Sequence, residues 1–335
     1  MSQEAKEFVT IVMPALNEER YIAAAIATLL PDHPDFDYEL LVLDGGSNDA
    51  TQKIVQLLST GNQRIRLINN QKRVQSAGVN LAAQLAHPQS EILIRADCHA
   101  RYPSNFIDVC MREMRQRECV SVVVPMETVG AGCVQKAIAA AQNSRLGNGG
   151  SKHRMAGSSG YVEHGHHAAF RRKAFLDVGG YNEAIAYNED AELDLRLLAS
   201  GGRIWLSGDA TIIYFPRANL SALAKQYFRY GSGRANTWLL HNAPLRVRQL
   251  LPFILLLACI TSVALSMVHP AFMIVPAAYA ALCLIWGAAL AIRDRTACIT
   301  LSGVAAMTMH LSWGAGFLAR IVQAAASKQG RRAPG

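Results

Sequence analysis

The sequence predicts an α/β fold, a mostly parallel sheet flanked by helices, followed by C-terminal transmembrane helices. Three observations predict it. Short β-rich apolar runs alternate with helical patterns through roughly the first half of the chain. Those runs are continuously apolar, as strands covered on both faces must be. Finally, the chain is 51% hydrophobic and only 17% charged, and the excess is concentrated in residues 249–319, which carry almost no charge. That balance is too apolar for an ordinary soluble enzyme.

Val9–Leu16, Leu40–Leu43, Ile65–Ile68, Glu91–Ala96 and Val120–Pro125 read as strands. Arg20–Leu30, Asp49–Ser59, Ser76–Ala86 and Asn105–Arg117 read as the helices between them, with Ser76, Ser104 or Asn105 as caps. At the far end, Leu250–Val268 contains no charge and is long enough for a bilayer core of about 30 Å. Ala271–Ile292 is equally uncharged, and His269-Pro270 alone separates the two, so they read as a transmembrane hairpin. A pair of buried core helices is the alternative. Thr296–Ala319 is weaker, rich in Gly, Ala and Ser and interrupted by His310. The expected division is therefore 1–245 and 246–335, with spans at about 250–268 and 271–292.

The N-terminus is acidic and reaches a strand at once, unlike a signal peptide, which places the first domain in the cytoplasm. Seven cysteines without a CxxC pair fit a reducing compartment. The net charge of +8 gathers late, at Arg217, Lys225, Arg229, Arg234, Arg246 and Arg248. Basic residues beside a membrane span face the cytoplasm and anionic headgroups. No nucleic-acid module accompanies them, which argues against that partner. Arg246 and Arg248 before the hairpin, and Arg293 and Arg295 after it, put both flanks inside. If Thr296–Ala319 crossed, Lys328, Arg331 and Arg332 would fall outside, so this stretch is expected to lie along the interface or re-enter.

In parallel sheets ligands bind beyond the carboxyl ends of strands, so the polar residues after each strand carry the chemistry. Pro14 closes the first ladder, and Asn17 is a turn cap or faces a ligand. In "LDGGSNDAT", Gly45 and Gly46 allow close backbone approach, while Asp44, Ser47 and Asp49 bind hydroxyl groups or cap the next helix. The fragment "VGAGCV" lacks the third glycine of a dinucleotide loop. After the fourth strand stands Asp97-Cys98-His99. Alternate residues of an extended segment point one way, so Asp97 and His99 can face one divalent ion, Mn²⁺ or Mg²⁺, on a diphosphate. Equally, Asp97 can cap the next turn with Arg101 as partner.

Taken together, "VTIVMPALNEERYI", "LLVLDGGSNDAT", "RADCHARYP", "GHHAAFRRKAFLDVGGYNE", "YNEDAELDLRL" and "QYFRYGSGR" resemble a family 2 glycosyltransferase of the GT-A, Rossmann-like fold, over about residues 8–320. The subgroup they look like is the membrane-bound, succinoglycan-type (ExoA-like) exopolysaccharide glucosyltransferases. The resemblance implies that Pro14, Leu16 and Glu18 line a nucleoside pocket, that Asp44 binds uridine, and that Lys72 and Arg73 approach the nucleotide. It implies that Asp97 is the first aspartate of the DxD motif, with His99 where the second usually stands. Gly45 replaces the second acid of the common Asp-Asp-Gly-Ser pattern.

"YNEDAELDLRLLAS" is an amphipathic helix with Leu193, Leu197 and Leu198 inward and four acids in its first turns. For Glu192 and Asp194 the reading is stabilisation by the helix dipole. Glu189-Asp190 match the family's ED motif, which makes Asp190 the general base of inverting transfer. His164, His166 and His167 crowd one loop, with Cys98, His99 and His153 elsewhere, yet no pair has zinc-finger spacing. The resemblance places this loop beside the acceptor, where His166 or His167 completes the metal shell or contacts the acceptor sugar. Gln226 and Arg229 match a QxxRW motif with Tyr230 in place of Trp. Arg229 and Arg234 there bind a diphosphate, or the helix lies on the membrane.

The resulting expectation is an inverting hexosyltransferase in the bacterial inner membrane, its catalytic domain facing the cytoplasm. It takes glucose from UDP-glucose to a polyprenyl-diphosphate-linked saccharide, with other polysaccharide-assembly proteins as expected partners. The rivals are a Rossmann-type nucleotide-sugar oxidoreductase and a non-catalytic membrane scaffold.

Overall fold

The computed structural model describes residues 6–31, 34–150, 157–243 and 245–330, with 328–330 as backbone alone. His153, Arg331, Arg332 and the side chain of Lys328 lie outside the described residues.

Phe8–Ala15 (β1), Ile22–Leu29 (α1), Asp37–Asp44 (β2), Thr51–Gly61 (α2), Ile65–Asn69 (β3), Gln75–Leu85 (α3) and Ser90–Arg95 (β4) alternate as the hydrophobic periodicity requires. The four strands are parallel, in spatial order β3-β2-β1-β4. Next come Ala100–Arg101 (β5), Phe106–Gln116 (α4), Ser121–Val124 (β6), Met126–Thr128 (β7), Cys133–Asn143 (α5) and Arg145–Asn148 (α6). Then follow Gly160–Val162 (β8), His166–Arg171 (β9), Arg172–Asp177 (α7), Glu189–Ala199 (α8), Ile204–Leu206 (β10) and Ile212–Tyr214 (β11). The chain ends in four helices, Leu220–His241 (α9), Val247–Leu265 (α10), Ile274–Arg293 (α11) and Ser302–Gly330 (α12). Strands β9, β6, β10 and β8 extend the main sheet to eight, β9 running antiparallel to β4 and β6, while β5, β11 and β7 form a small second sheet.

The chain packs into two compact units, 1–127 with 155–214, and 128–154 with 215–335. Compactness thus divides it elsewhere than the expected boundary at 245/246, because α5, α6 and α9 pack with the apolar helices.

In the first unit, Val9, Ile11, Leu40, Val42 and Ile94 are buried on one face of the sheet, and Val12, Leu41, Leu43, Leu93 and Phe170 on the other. Double coverage explains the unbroken apolar runs. Pro14 is tolerated in a central strand because pairing with β4 stops at Val12, while pairing with β2 continues past it. Of the expected caps, Asn105 holds its place and Ser76 does not. Ser76 is the second residue of α3, whose N-cap is Val74, and Asn105 holds the N-cap of α4 without a side-chain bond.

In the second unit, two helical stretches, Val247–Leu265 and Pro270–Arg293, are long and apolar enough to cross a membrane. Only 6% and 17% of these two apolar stretches are buried within the chain. Helix α12 is one continuous helix of 29 residues and makes no re-entrant turn. Its small residues let backbones touch: a Cβ on Gly231 of α9 would lie 1.9 Å from the carbonyl oxygen of Trp313, and one on Gly316 equally close to that of Phe228. His310, which interrupts the apolar pattern, is satisfied by the Tyr279 hydroxyl at 3.0 Å and the Leu146 carbonyl at 2.9 Å.

Cys133 and Cys298 form a disulfide with Cα atoms 5.0 Å apart. This corrects the reading of all seven cysteines as thiols. Local spacing detects only near neighbours, and these partners are 165 residues apart.

Candidate active site

The loops after β1 and β2 clasp each other. Asn17, at φ 59°, accepts a hydrogen bond on its side-chain oxygen from the Asn48 amide at 2.9 Å and donates its own amide to Ser47 Oγ at 2.9 Å. The Glu18 amide donates to Thr51 Oγ1 at 2.7 Å, and the Glu19 amide to Asp49 at 3.1 Å. Ser47 and Asp49 therefore build the turn. Asp44 is buried and accepts from the amides of Gly46 and Ser47, the Ser47 hydroxyl and Gln52 Nε2 at 2.5–3.0 Å. Beside it opens a cavity of about 500 Å³ lined by Asp44, Gly46, Gln52, Asn69 and Arg73. Arg73 sits at φ 58° with its guanidinium over Gly46, whose own φ of 83° is one that glycine adopts without strain. Lys72 points to Glu183 at 2.5 Å instead.

The second group surrounds Asp97. Its carboxylate accepts from Gln75 at 3.2 Å and lies 3.6 Å from Arg95 and 3.5 Å from His166 Nε2. Its amide faces the Tyr102 hydroxyl at 2.5 Å, which fixes the bend after β4. His99 turns to Glu18 Oε1 at 2.7 Å, under the edge of Tyr21. Leu16 is exposed nearby in sequence, and Cys98 is buried with Sγ 3.5 Å from the Pro14 carbonyl. Among the described residues no three His, Cys, Asp or Glu side chains are gathered to cage a metal. What is present is a carboxylate on Asp97, imidazoles on His166 and His99, and Glu18 Oε2, buried without a partner. That donor set fits a hard divalent ion completed by phosphate oxygens from a substrate, not an all-protein site.

The third group was only half legible in the sequence. Arg95, the last residue of β4, is buried and forms a close ion pair with Asp190 Oδ1 and a 2.7 Å hydrogen bond to the Tyr181 hydroxyl. Asn188, at φ 68°, turns the chain into α8 and sets Glu189 and Asp190 in its first turn. Tyr181 donates to Asp190 at 2.9 Å. Behind it His167 is wholly buried, 2.9 Å from the Tyr181 hydroxyl through Nδ1 and 2.7 Å from Asp194 through Nε2. His164 reaches the other oxygen of Asp194 at 2.7 Å. Asp194 is thus a fully buried ion-pair member, not a dipole-stabilising surface acid, and His167 is sealed from any acceptor. Glu192 does have a structural role, paired twice with Arg196 at 2.6 and 2.8 Å.

Burial raises the Asp190 carboxyl, but the Arg95 guanidinium and the two imidazoles outweigh it and hold it well below the usual carboxylate range. Glu189 has burial and the Asp190 charge against it and is pushed up to about 7. Burial lowers His166, whereas for His167 the carboxylates of Asp194 and Asp190 overcome burial and raise it. Gln226, Arg229 and Arg234 belong to α9, in the other unit, where Gln226 donates to Tyr230 at 3.0 Å. Gln52, Gln75, Arg95, Tyr181 and His164 were not singled out from sequence for these places. The one signal among them was a charged residue, Arg95, ending an apolar strand.

The model of glycosyl transferase family 2 matches residues 10–179, and that of glycosyl transferase family group 2 matches residues 97–292. The chain is 44% identical over 308 residues to the succinoglycan biosynthesis protein ExoA of Rhizobium meliloti (strain 1021), covering 92% of this chain and 93% of that one. It is 23% identical over 239 residues to a dolichyl N-acetyl-α-D-glucosaminyl phosphate 3-β-D-2,3-diacetamido-2,3-dideoxy-β-D-glucuronosyltransferase of Methanococcus voltae, covering 68% and 73% of the two chains. Among solved structures, the mannosyltransferase PcManGT of Pyrobaculum calidifontis, in complex with GDP-Man and Mn²⁺, is similar in fold, with a TM-score of 0.59 at 18% identity. That likeness covers 96% of this chain and 88% of the other. With strand ends, acid pair and coverage in agreement, the chain belongs to glycosyltransferase family 2, on a GT-A fold.

Proposed function

We propose that this chain is a membrane-bound inverting hexosyltransferase that moves glucose from UDP-glucose onto a polyprenyl-diphosphate-linked saccharide in the assembly of a succinoglycan-type exopolysaccharide. The observation that carries the reading is Arg95. One buried guanidinium pairs with Asp190 and lies 3.6 Å from Asp97, so a candidate diphosphate-side carboxylate and a candidate base flank a single group. The similarity to a succinoglycan biosynthesis protein supports the pathway. A relative whose name specifies a dolichyl-phosphate-linked sugar supports a lipid-linked acceptor.

In this reading the nucleoside enters the cavity by Asp44, Gln52 and Arg73, with Pro14, Leu16 and Glu18 at its edge. Asp97, with His99 or His166, would hold a divalent ion, which when bound neutralises the diphosphate. The acceptor hydroxyl oxygen attacks the anomeric carbon as Asp190 takes its proton; the bond to the diphosphate oxygen breaks and UDP leaves with the electron pair. One displacement inverts the anomeric centre. Ion pairing with Arg95 makes Asp190 a weak base, so it removes a proton from an oxygen already acidified by bond formation and not from a free alcohol. Family membership displaces the oxidoreductase reading, and the scaffold reading predicts no transfer.

Residues 1–245 would form the cytoplasmic catalytic domain and 246–335 the inner-membrane domain, with α10 and α11 as spans and α12 lying along the membrane interface. Gln226, Arg229 and Arg234 on α9 would face the lipid diphosphate. Membranes carrying the protein are expected to transfer label from UDP-[¹⁴C]glucose, and not from GDP-[¹⁴C]mannose, into lipid extract. Label from the mannose donor alone would overturn the donor assignment. A reporter fused after Gly335 is expected to read out in the cytoplasm, and a periplasmic readout would mean a third span.

A further inference from the structure

Every hydrogen bond and ion pair described above for Asp190 ends on Oδ1. Arg95 and Tyr181 both bond it, and His167 Nδ1 approaches it at 3.5 Å. That leaves Oδ2 to meet an acceptor hydroxyl. Behind Oδ1 runs an unbroken series of side chains, Tyr181, His167, Asp194 and His164, each within 2.9 Å of the next. Tyr181 has one proton. If it donates that proton to Asp190 while accepting from Arg95, then His167 Nδ1 must also donate to it. His167 Nε2 faces a carboxylate, so it donates as well. The ring is therefore a donor on both sides and has its orientation fixed from both sides.

Burying such a series is expensive. Asp194 and His167 are almost wholly inaccessible, and withdrawing charges from water costs several kcal/mol each before pairing repays it. The fold does not need them for packing, because Leu193 and Leu197 already seat α8 against Phe170 and Phe175. Hydrophobic residues in their place would pack at least as well. What hydrophobic residues could not do is hold a carboxylate oxygen in one place.

We propose that Tyr181, His167, Asp194 and His164 form a buried brace that fixes Oδ1 of Asp190 and presents Oδ2 to the acceptor, making these four residues positioning residues for transfer. The proposal rests on the reading of Asp190 as general base. A misplaced base loses rate without losing the donor. The brace therefore acts on turnover and not on donor affinity.

The test is a double-mutant cycle on the full chain in membranes, with UDP-[¹⁴C]glucose as donor and extracted lipid-linked saccharide as acceptor. Tyr181→Phe removes the one hydroxyl that links His167 to Asp190 and keeps the ring packed on Phe175. It is expected to lower kcat roughly tenfold or more, with the donor KM changed less than about threefold. Asp194→Asn is expected to lower kcat similarly in the wild type and to have almost no further effect once Tyr181 is Phe. If Asp194→Asn does not accumulate folded in the membrane, His164→Asn, at the more exposed end of the series, completes the same cycle. Effects that multiply in the double variant would overturn the brace, as would a rise in donor KM that accounts for the whole loss. Absence of transfer by the wild type would remove the functional reading and the brace with it. Transfer by the wild type with multiplying effects would remove the brace alone.

Discussion

The two units bury polar groups in opposite ways. In the first, Arg95, Glu39, Glu192, His167 and Asp194 are charged or ionisable and lie inside. In the second, the buried polar residues among those described are Thr128, Gln142, Ser144, Gln226, Thr237, Ser262 and Ser302, none of them charged. The second unit joins its helices by close contact at glycines and by an apolar cluster of Ile138, Leu223, Ala305, Ala306 and Met309. The first accepts desolvated ions, and three of them, Arg95, His167 and Asp194, gather behind Asp190. The contrast sets buried ions, both structural pairs such as Glu192 with Arg196 and the group around Asp190, against uncharged close packing, and each side of it can be broken separately.

The largest effect is expected at the centre of the charged cluster. Asp190→Asn keeps the shape of the side chain and removes its basicity, so turnover falls by roughly 10²–10⁴-fold while UDP still binds. Steady-state kinetics beside calorimetry checks this, and turnover within a few-fold of wild type would assign the base elsewhere. Next, Asp97→Ala is expected to remove the Mn²⁺-dependent part of UDP affinity, about tenfold or more, with a smaller loss in His99→Ala, whose imidazole also pairs with Glu18. Calorimetric titration with and without Mn²⁺, or after chelation, reads the difference; identical curves for wild type and both variants would exclude a metal role here.

On the uncharged side, Gly316→Ala places a Cβ against the Phe228 carbonyl and is expected to cost about 1–3 kcal/mol, as overpacking does. Thermal unfolding in detergent should shift by several degrees; an unchanged melting temperature would mean that α9 and α12 are not packed through that glycine. The smallest effect is expected at Lys72. It is 69% exposed and pairs with Glu183, an arrangement worth about 1 kcal/mol or less. Lys72→Ala is expected to change donor affinity less than about threefold, and a larger loss would return Lys72 to the nucleotide.

Sequence pattern read the first unit well because its strands are covered on both faces and its motif residues follow strand ends. Asp97 was singled out for that reason, whereas Glu189 and Asp190 were singled out by the family resemblance alone. Their partners were not. Arg95 occupies a strand position that should be apolar, but the group that justifies its burial is 95 residues away. Asp194 shares a helix face with Asp190, and spacing alone makes it a second helix-stabilising acid. The histidines that convert it into a buried ion pair come from β9 and the loop before it. In the second unit, composition identified the apolar helices but not the disulfide or the length of α12, since both depend on segments meeting across the fold.

The central claim is that the charged cluster of the first unit transfers a hexose to a lipid-linked acceptor. Mass spectrometry of lipid-linked saccharides, from membranes incubated with UDP-glucose and either wild-type protein or Asp190→Asn, tests it most directly. A product heavier by one hexose is expected with the wild type, and its near absence with the variant. No hexose addition by the wild type, or equal addition by both, would contradict it.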